Sequence, residues 1–184
     1  MPRLPLRDPA TAPEPIREVL ESTPLSLLGV IAHAESAFDP WLRYSNTLLR
    51  RLELDPLLRE LAILQVAHLS ASRYEWTQHV PIAESFGATP AQIEAIGRDL
   101  AEPEGLGADG CAVLGFTREV IVDGAASERS LADLTARLGE RQVVELLLVV
   151  GNYMGLARLI ATVGLEPQEP VVKLPGGADA LGPG

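Results

Sequence analysis

The chain has 184 residues, 47% hydrophobic and 22% charged, which suits one globular domain and excludes a largely disordered polypeptide. Its net charge of −10, with no basic cluster to offset it, argues against nucleic acid and anionic membrane surfaces as partners. One cysteine, Cys111, excludes an intrachain disulfide, and the opening MPRLPLRDPATAPEP lacks the apolar core of a signal peptide, so a cytoplasmic location is expected.

Leucine and alanine abound while aromatics are only 4%, which favours helix over sheet. Two short helices are predicted near Pro15–Glu21 and Leu25–Ala34. Asp39-Pro40 reads as an N-cap followed by a first-turn proline, opening a helix to about Arg51. Asp55-Pro56 repeats the device before LLRELAILQVAHLSA, and Ser72 can start the next helix, whose Pro81 would free the Thr77 carbonyl. Thr89-Pro90-Ala91-Gln92 forms a capping box. Asp109 is predicted to open a helix ending near Gly124, and Ser130 one ending near Gly139. A long helix from Glu140 to Val163 stops at Gly164. The chain therefore divides into an N-terminal arm (1–24), an all-α domain (25–164) and a Pro/Gly-rich tail (165–184) that drapes over a neighbour or stays mobile.

Leu57–Ala71 and Val143–Val163 are apolar on nearly all sides, which places each in a core or a subunit interface. Gly151 and Gly155, four apart, would let another helix approach closely. The longest uncharged apolar run, Leu146 to Ala157, is shorter than the roughly 20 residues of a membrane span.

Chemistry concentrates between Glu60 and His79. Glu75 and His79 stand four apart on one helical face, where a carboxylate can orient an imidazole and favour its protonated form. Glu60, in an otherwise apolar helix, needs a partner, and a histidine on the next helix would serve. The competing reading is local: Ser72-x-x-Glu75 is also a capping-box pattern. His33 and His68 are isolated and expected to be structural.

The segment LDPLLRELAILQVAHLSASRYEWTQHVPIAESFGATPAQIEAI resembles the carboxymuconolactone decarboxylase family, which includes the AhpD-like proteins, and the resemblance spans roughly residues 25–165. In the peroxidase branch a glutamate, a C-x-x-C pair and a histidine form a thiol relay. Here the glutamate and histidine positions hold Glu60 and His79, but the cysteine positions hold Ser72 and Glu75, and Tyr74 replaces a frequent histidine. Neither Ser72 nor Glu75 can form a disulfide, and Cys111 lies outside the motif, so a two-cysteine peroxidase is excluded. The decarboxylase branch also resembles this chain in carrying glutamate and histidine at the Glu75 and His79 positions. The resemblance implies an all-α homo-oligomer, trimer or hexamer, with the motif helices lining a pocket.

The expected activity is acid–base chemistry without metal or organic cofactor: decarboxylation or isomerisation of a small carboxylated lactone or unsaturated acid. His79 would donate the proton, with Glu75 and Glu60 as relay or orienting carboxylates. Ser72, Tyr74, Asn152 and Tyr153 are the expected substrate-binding residues. Arg73 is the nearest candidate to hold a substrate carboxylate, with Arg43 and Arg158 as others. The alternative is a non-catalytic oligomeric binder or scaffold that keeps the fold.

Overall fold

The computed structural model describes residues 2–99 and 105–171, and all regular structure among them is helical. After a short 3-10 turn at Pro9–Thr11 come α1 (Glu14–Ser22), α2 (Ser26–Ile31), α3 (Glu35–Arg50) and α4 (Pro56–Leu69). Then follow α5 (Arg73–Ser85), α6 (Pro90–Gly97), α7 (Gly107–Val122) and α8 (Glu128–Val163).

The proline-led starts at α4 and α6 form as their sequences predict. Asp55 accepts from the Leu57 and Leu58 amides, and Thr89 and Gln92 complete a reciprocal capping box. Asp39-Pro40 does not open a helix: α3 begins at Glu35, and Asp39 pairs with Arg43 one turn on. Pro40 is tolerated because the hydrogen bond it forgoes would have gone only to the carbonyl of exposed Ser36. Asp109 likewise lies inside the first turn of α7. Ser127, not Ser130, caps α8, accepting from the Ser130 amide. Gly139, at φ 82° and ψ 161°, breaks α8 into two helical arms close to the predicted division.

α4 is the central helix, packed against α5, α6, α7 and α8. Its residues from Arg59 to Ala67 are all buried, which explains why it shows no polar face. The second arm of α8 is different. Val143, Leu146, Val149, Tyr153 and Ile160 enter the core, while Val144, Leu147 and Leu148 are exposed beside Gly151 and Gly155, whose missing Cβ positions face open space. Among the described residues no helix packs on the two glycines. By length and composition alone α8 could cross a membrane, but one side of its apolar surface is spent on this core.

The junction from α4 to α5 is a tight reversal. The Ser72 amide donates to the Ala67 carbonyl and the Ala71 amide to that of His68, with Ala71 at φ 52°. A non-glycine residue there carries about 1 kcal/mol of backbone strain. The reversal launches α5 antiparallel to α4 and sets Glu75 and His79 against it.

The arm and the near end of the tail are both fastened to the helices. Arg3 donates from its amide to the Val163 carbonyl, and His33 Nε2 meets the Pro5 carbonyl at 2.8 Å. Residues 165–171 lie on their own chain: the Gln168 side chain accepts from the Ser26 amide and the Tyr74 hydroxyl and donates to the Pro24 carbonyl. Gln78 clasps the same stretch, donating to the Gln168 carbonyl and accepting from the Val171 amide. The rest of the predicted tail, 172–184, lies outside the described residues.

Candidate active site

One face of α5, at spacings of three and four, carries Glu75, Gln78, His79 and Ile82, all buried. With α3, the α1–α2 connection and α8, this face lines a partly open cavity of about 90 Å³. Trp41, Leu42, Ser45, Asn46 and Leu49 line it from α3, and Asn152, Tyr153 and Leu156 from α8. Leucines of the α2 region and Tyr74 complete the wall.

Glu60 sits behind this wall, fully buried on α4. One of its oxygens meets His79 Nδ1 at 2.8 Å, and the other accepts from Arg59 Nε at 3.0 Å. Arg59 is buried as well and lies over the Phe86 ring, 5.2 Å from its centroid. The partner predicted for Glu60 is therefore His79, but its charge is balanced by Arg59, the neighbour in sequence. With Nδ1 held by Glu60, Nε2 is the ring nitrogen left to meet a ligand. The Tyr153 ring meets the His79 ring edge-on at 4.9 Å between centroids.

Glu75 is 3% exposed and neither carboxylate oxygen has a well-formed hydrogen bond. Burial pushes its pKa from 4.5 up to about 7; the nearby Ser72 hydroxyl and His79 ease that shift but do not cancel it. Ser72 occupies the N-cap position of α5 without making a side-chain cap bond. The capping-box reading of Ser72 and Glu75 thus fails, because the α4–α5 reversal turns the Glu75 side chain inward rather than back along its own first turn.

The expected binding residues divide. Tyr153 and Asn152 line the cavity; Tyr153 makes no hydrogen bond within the described residues, and burial, reinforced by the Glu60 and Glu75 carboxylates, holds its phenol well above the usual tyrosine range, so the hydroxyl keeps its proton. Tyr74 also lines the cavity, but its hydroxyl is committed to Ser26, the Leu27 amide and Gln168. Ser72 is buried outside the lining, and Arg73 is exposed in a separate shallow depression with His68 and Trp76. Arg43 pairs with Asp39, and Arg158 donates to the Met154 carbonyl. Among the described residues no arginine or lysine lines the cavity, so none of the three arginines expected to hold a substrate carboxylate does so from this wall. Cys111 is half-buried on α7, packed against a second apolar cluster around Leu61, Leu64 and Ile96.

Gln78, Trp41, Ser45 and Asn46 were not foreseen. For Gln78 the signal was present, since it completes the 75-78-79-82 stripe. For the α3 residues only the tertiary packing reveals the site they cover.

Residues 35–119 match the model of the carboxymuconolactone decarboxylase family. The fold is similar to the alkylhydroperoxidase AhpD core, an uncharacterized peroxidase-related protein from Ralstonia eutropha JMP134, with TM-score 0.78, 17% identity, and 91% and 92% of the two chains covered. It is also similar to an uncharacterized peroxidase-related protein from Silicibacter sp. TM1040, with TM-score 0.75, 17% identity and 90% of each chain covered. At such identity the likeness speaks for the fold alone. No curated protein matches by sequence.

Proposed function

On the premise that the 35–119 region belongs to the carboxymuconolactone decarboxylase family and the chain has the AhpD-like fold, we propose an acid–base enzyme that isomerises or decarboxylates a small lactone or unsaturated acid. The observation that carries this is the buried, unpartnered Glu75 carboxylate beside His79 on the wall of a partly open cavity. An ionisable group held out of water with no partner is costly to the fold and useful to proton transfer.

In the isomerisation, Glu75 removes a proton from the carbon next to the carbonyl while His79 Nε2–H steadies the oxygen of the developing dienolate. Glu75 then returns the proton to the far end of the conjugated system. In decarboxylation the bond to CO₂ breaks instead, and the same pair protonates the dienolate carbon. Both balance without an oxidant or reductant. Glu60 orients the His79 ring through Nδ1, and Arg59 neutralises Glu60. The thiol relay of the peroxidase branch has no counterpart here, because Ser72 and Glu75 stand at its cysteine positions. The scaffold alternative leaned on Ser72 capping the turn that holds Glu75, and that cap bond is not made.

Isomerisation of α-angelica lactone, followed by ultraviolet absorbance, tests the reading alongside a pool of unsaturated acids assayed for CO₂ release. Glu75→Gln and His79→Ala should each lose more than about 100-fold in kcat/KM. Where Glu75 acts as base, kcat/KM should rise as pH passes up through about 7, the pH at which its carboxyl loses its proton. Of the groups that act on Glu75, Ser72 and His79 both lower its pKa, and burial outweighs them; on Tyr153 it is again burial that leads, with Glu60 and Glu75 adding to it and Arg59 opposing. Turnover equal in wild type and His79→Ala would leave the scaffold reading ahead.

We also propose that the protein self-associates, as a trimer or hexamer, through the exposed α8 stripe of Val144, Leu147 and Leu148. Light scattering should give a multiple of 19.7 kDa at micromolar concentration, and Leu148→Asp should reduce it. A wild-type monomer would rule this out.

A further inference from the structure

Among the described residues, the wall offers an entering carboxylate no arginine and no lysine. Its ionisable side chains are Glu75, His79, Tyr74 and Tyr153, and His79 is already tied through Nδ1 to Glu60. Arg59, the nearest buried cation, is already engaged by Glu60 and is not part of the wall. An anionic ligand would therefore be stripped of water beside Glu75, whose carboxylate opposes it once ionised.

A cation fares little better. An ammonium group brings three N–H donors, and among the described residues Glu75 is the one charged acceptor on a wall made largely of leucine and aromatic side chains. What the wall does offer is neutral donors, Ser45 on α3 and Tyr153 beside His79. The Tyr153 hydroxyl is protonated, lines the cavity and has no hydrogen-bond partner within the described residues. A carbonyl oxygen is the group that satisfies such a donor without carrying charge. The cavity volume of about 90 Å³ limits the ligand to a small ring or short chain.

We propose that the site selects an uncharged ligand, a small unsaturated ketone or lactone whose carbonyl oxygen accepts from the Tyr153 hydroxyl, and that it discriminates against carboxylates. The proposal rests on the reading of this cavity as the active site. Within that reading it favours isomerisation over decarboxylation, because the latter needs an ionised carboxylate in the bound substrate. Tyr153 is then a specificity-determining residue rather than part of the packing around His79.

Three probes of one shape and different charge test this on the intact protein: cyclopentenone, cyclopentenecarboxylate and cyclopentylammonium. Binding is read by calorimetry or ligand-observed NMR at pH 8, where all three keep their stated charge. Cyclopentenone should bind at least tenfold tighter than either ion. Tyr153→Phe should weaken the ketone by fivefold or more. Glu75→Gln should leave ketone binding within about twofold and strengthen the carboxylate, since it removes the opposing charge while abolishing turnover. A carboxylate or ammonium probe that matches or exceeds the ketone would overturn the proposal, and so would a ketone that does not bind. Ketone binding with no turnover of any lactone would instead count against the enzyme reading and leave the ligand preference standing.

Discussion

Glu75→Gln is expected to make the folded chain more stable above pH 7, by about 2 kcal/mol. The folded pKa is raised, from 4.5 to about 7, because the carboxyl is 3% exposed and unpartnered. The native state therefore holds a proton that the unfolded chain releases at lower pH. The protonated carboxyl's contribution is fully present below the unfolded pKa and is lost as pH rises through the folded one. Above that window the wild type must bury a charge. The full linkage is about 3 kcal/mol for a shift of this size, and a buried amide with unmet donors of its own returns part of it. Urea unfolding at pH 5 and pH 8 checks both sign and window: the variant should gain on wild type mainly at the higher pH. A variant less stable than wild type at pH 8 would mean Glu75 has a partner that the geometry does not reveal.

Glu60→Ala should act in the opposite direction and more strongly, costing about 3–5 kcal/mol. Glu60 is the shared anion of a buried triad, with Arg59 3% exposed on one side and His79 7% exposed on the other. Removing it strands a guanidinium that cannot lose its proton and has no route to water. Glu60→Gln should cost less, since an amide oxygen can still accept from one partner. The double variant Arg59→Met with Glu60→Leu should recover most of the loss, because replacing a whole buried ion pair by apolar groups is often neutral. Denaturant midpoints at constant slope would show this ordering. A Glu60→Ala chain within 1 kcal/mol of wild type would show that the triad is not the anchor of the α4–α5 layer.

Much of this was legible from local chemistry. Helix starts marked by Asp-Pro and Thr-Pro at 55–56 and 89–90 form as read, since cap and proline act within one turn. The same signal misled at 39–40, where the helix had already begun at Glu35. The Glu60–His79 contact was foreseeable because a charge inside an apolar helix demands a partner on an adjoining element. Whether Glu75 faces inward was not, since Ser72-x-x-Glu75 fits a cap equally well and the left-handed Ala71 that settles it leaves no mark in the sequence. Arg73 was a reasonable candidate by proximity, yet one position from Tyr74 on a helix is a rotation of about 100°, enough to put it on the outside.

The clasp between Gln168 and the α2 region has a consequence for biosynthesis. Its hydrogen bonds join residues 142 positions apart, Ser26 to Gln168, and they fix the edge of the cavity at Tyr74 and Gln78. A chain emerging from the ribosome presents α1 to α5, with Glu60, Glu75 and His79, long before this closing segment is available. Until α8 and the residues after it have cleared the exit tunnel, the cavity lacks one wall, including Asn152, Tyr153 and Leu156. Glu75 and His79 are thus translated before the α8 residues that complete the wall, so the Glu75 carboxylate meets water in the nascent chain and is desolvated when α8 docks.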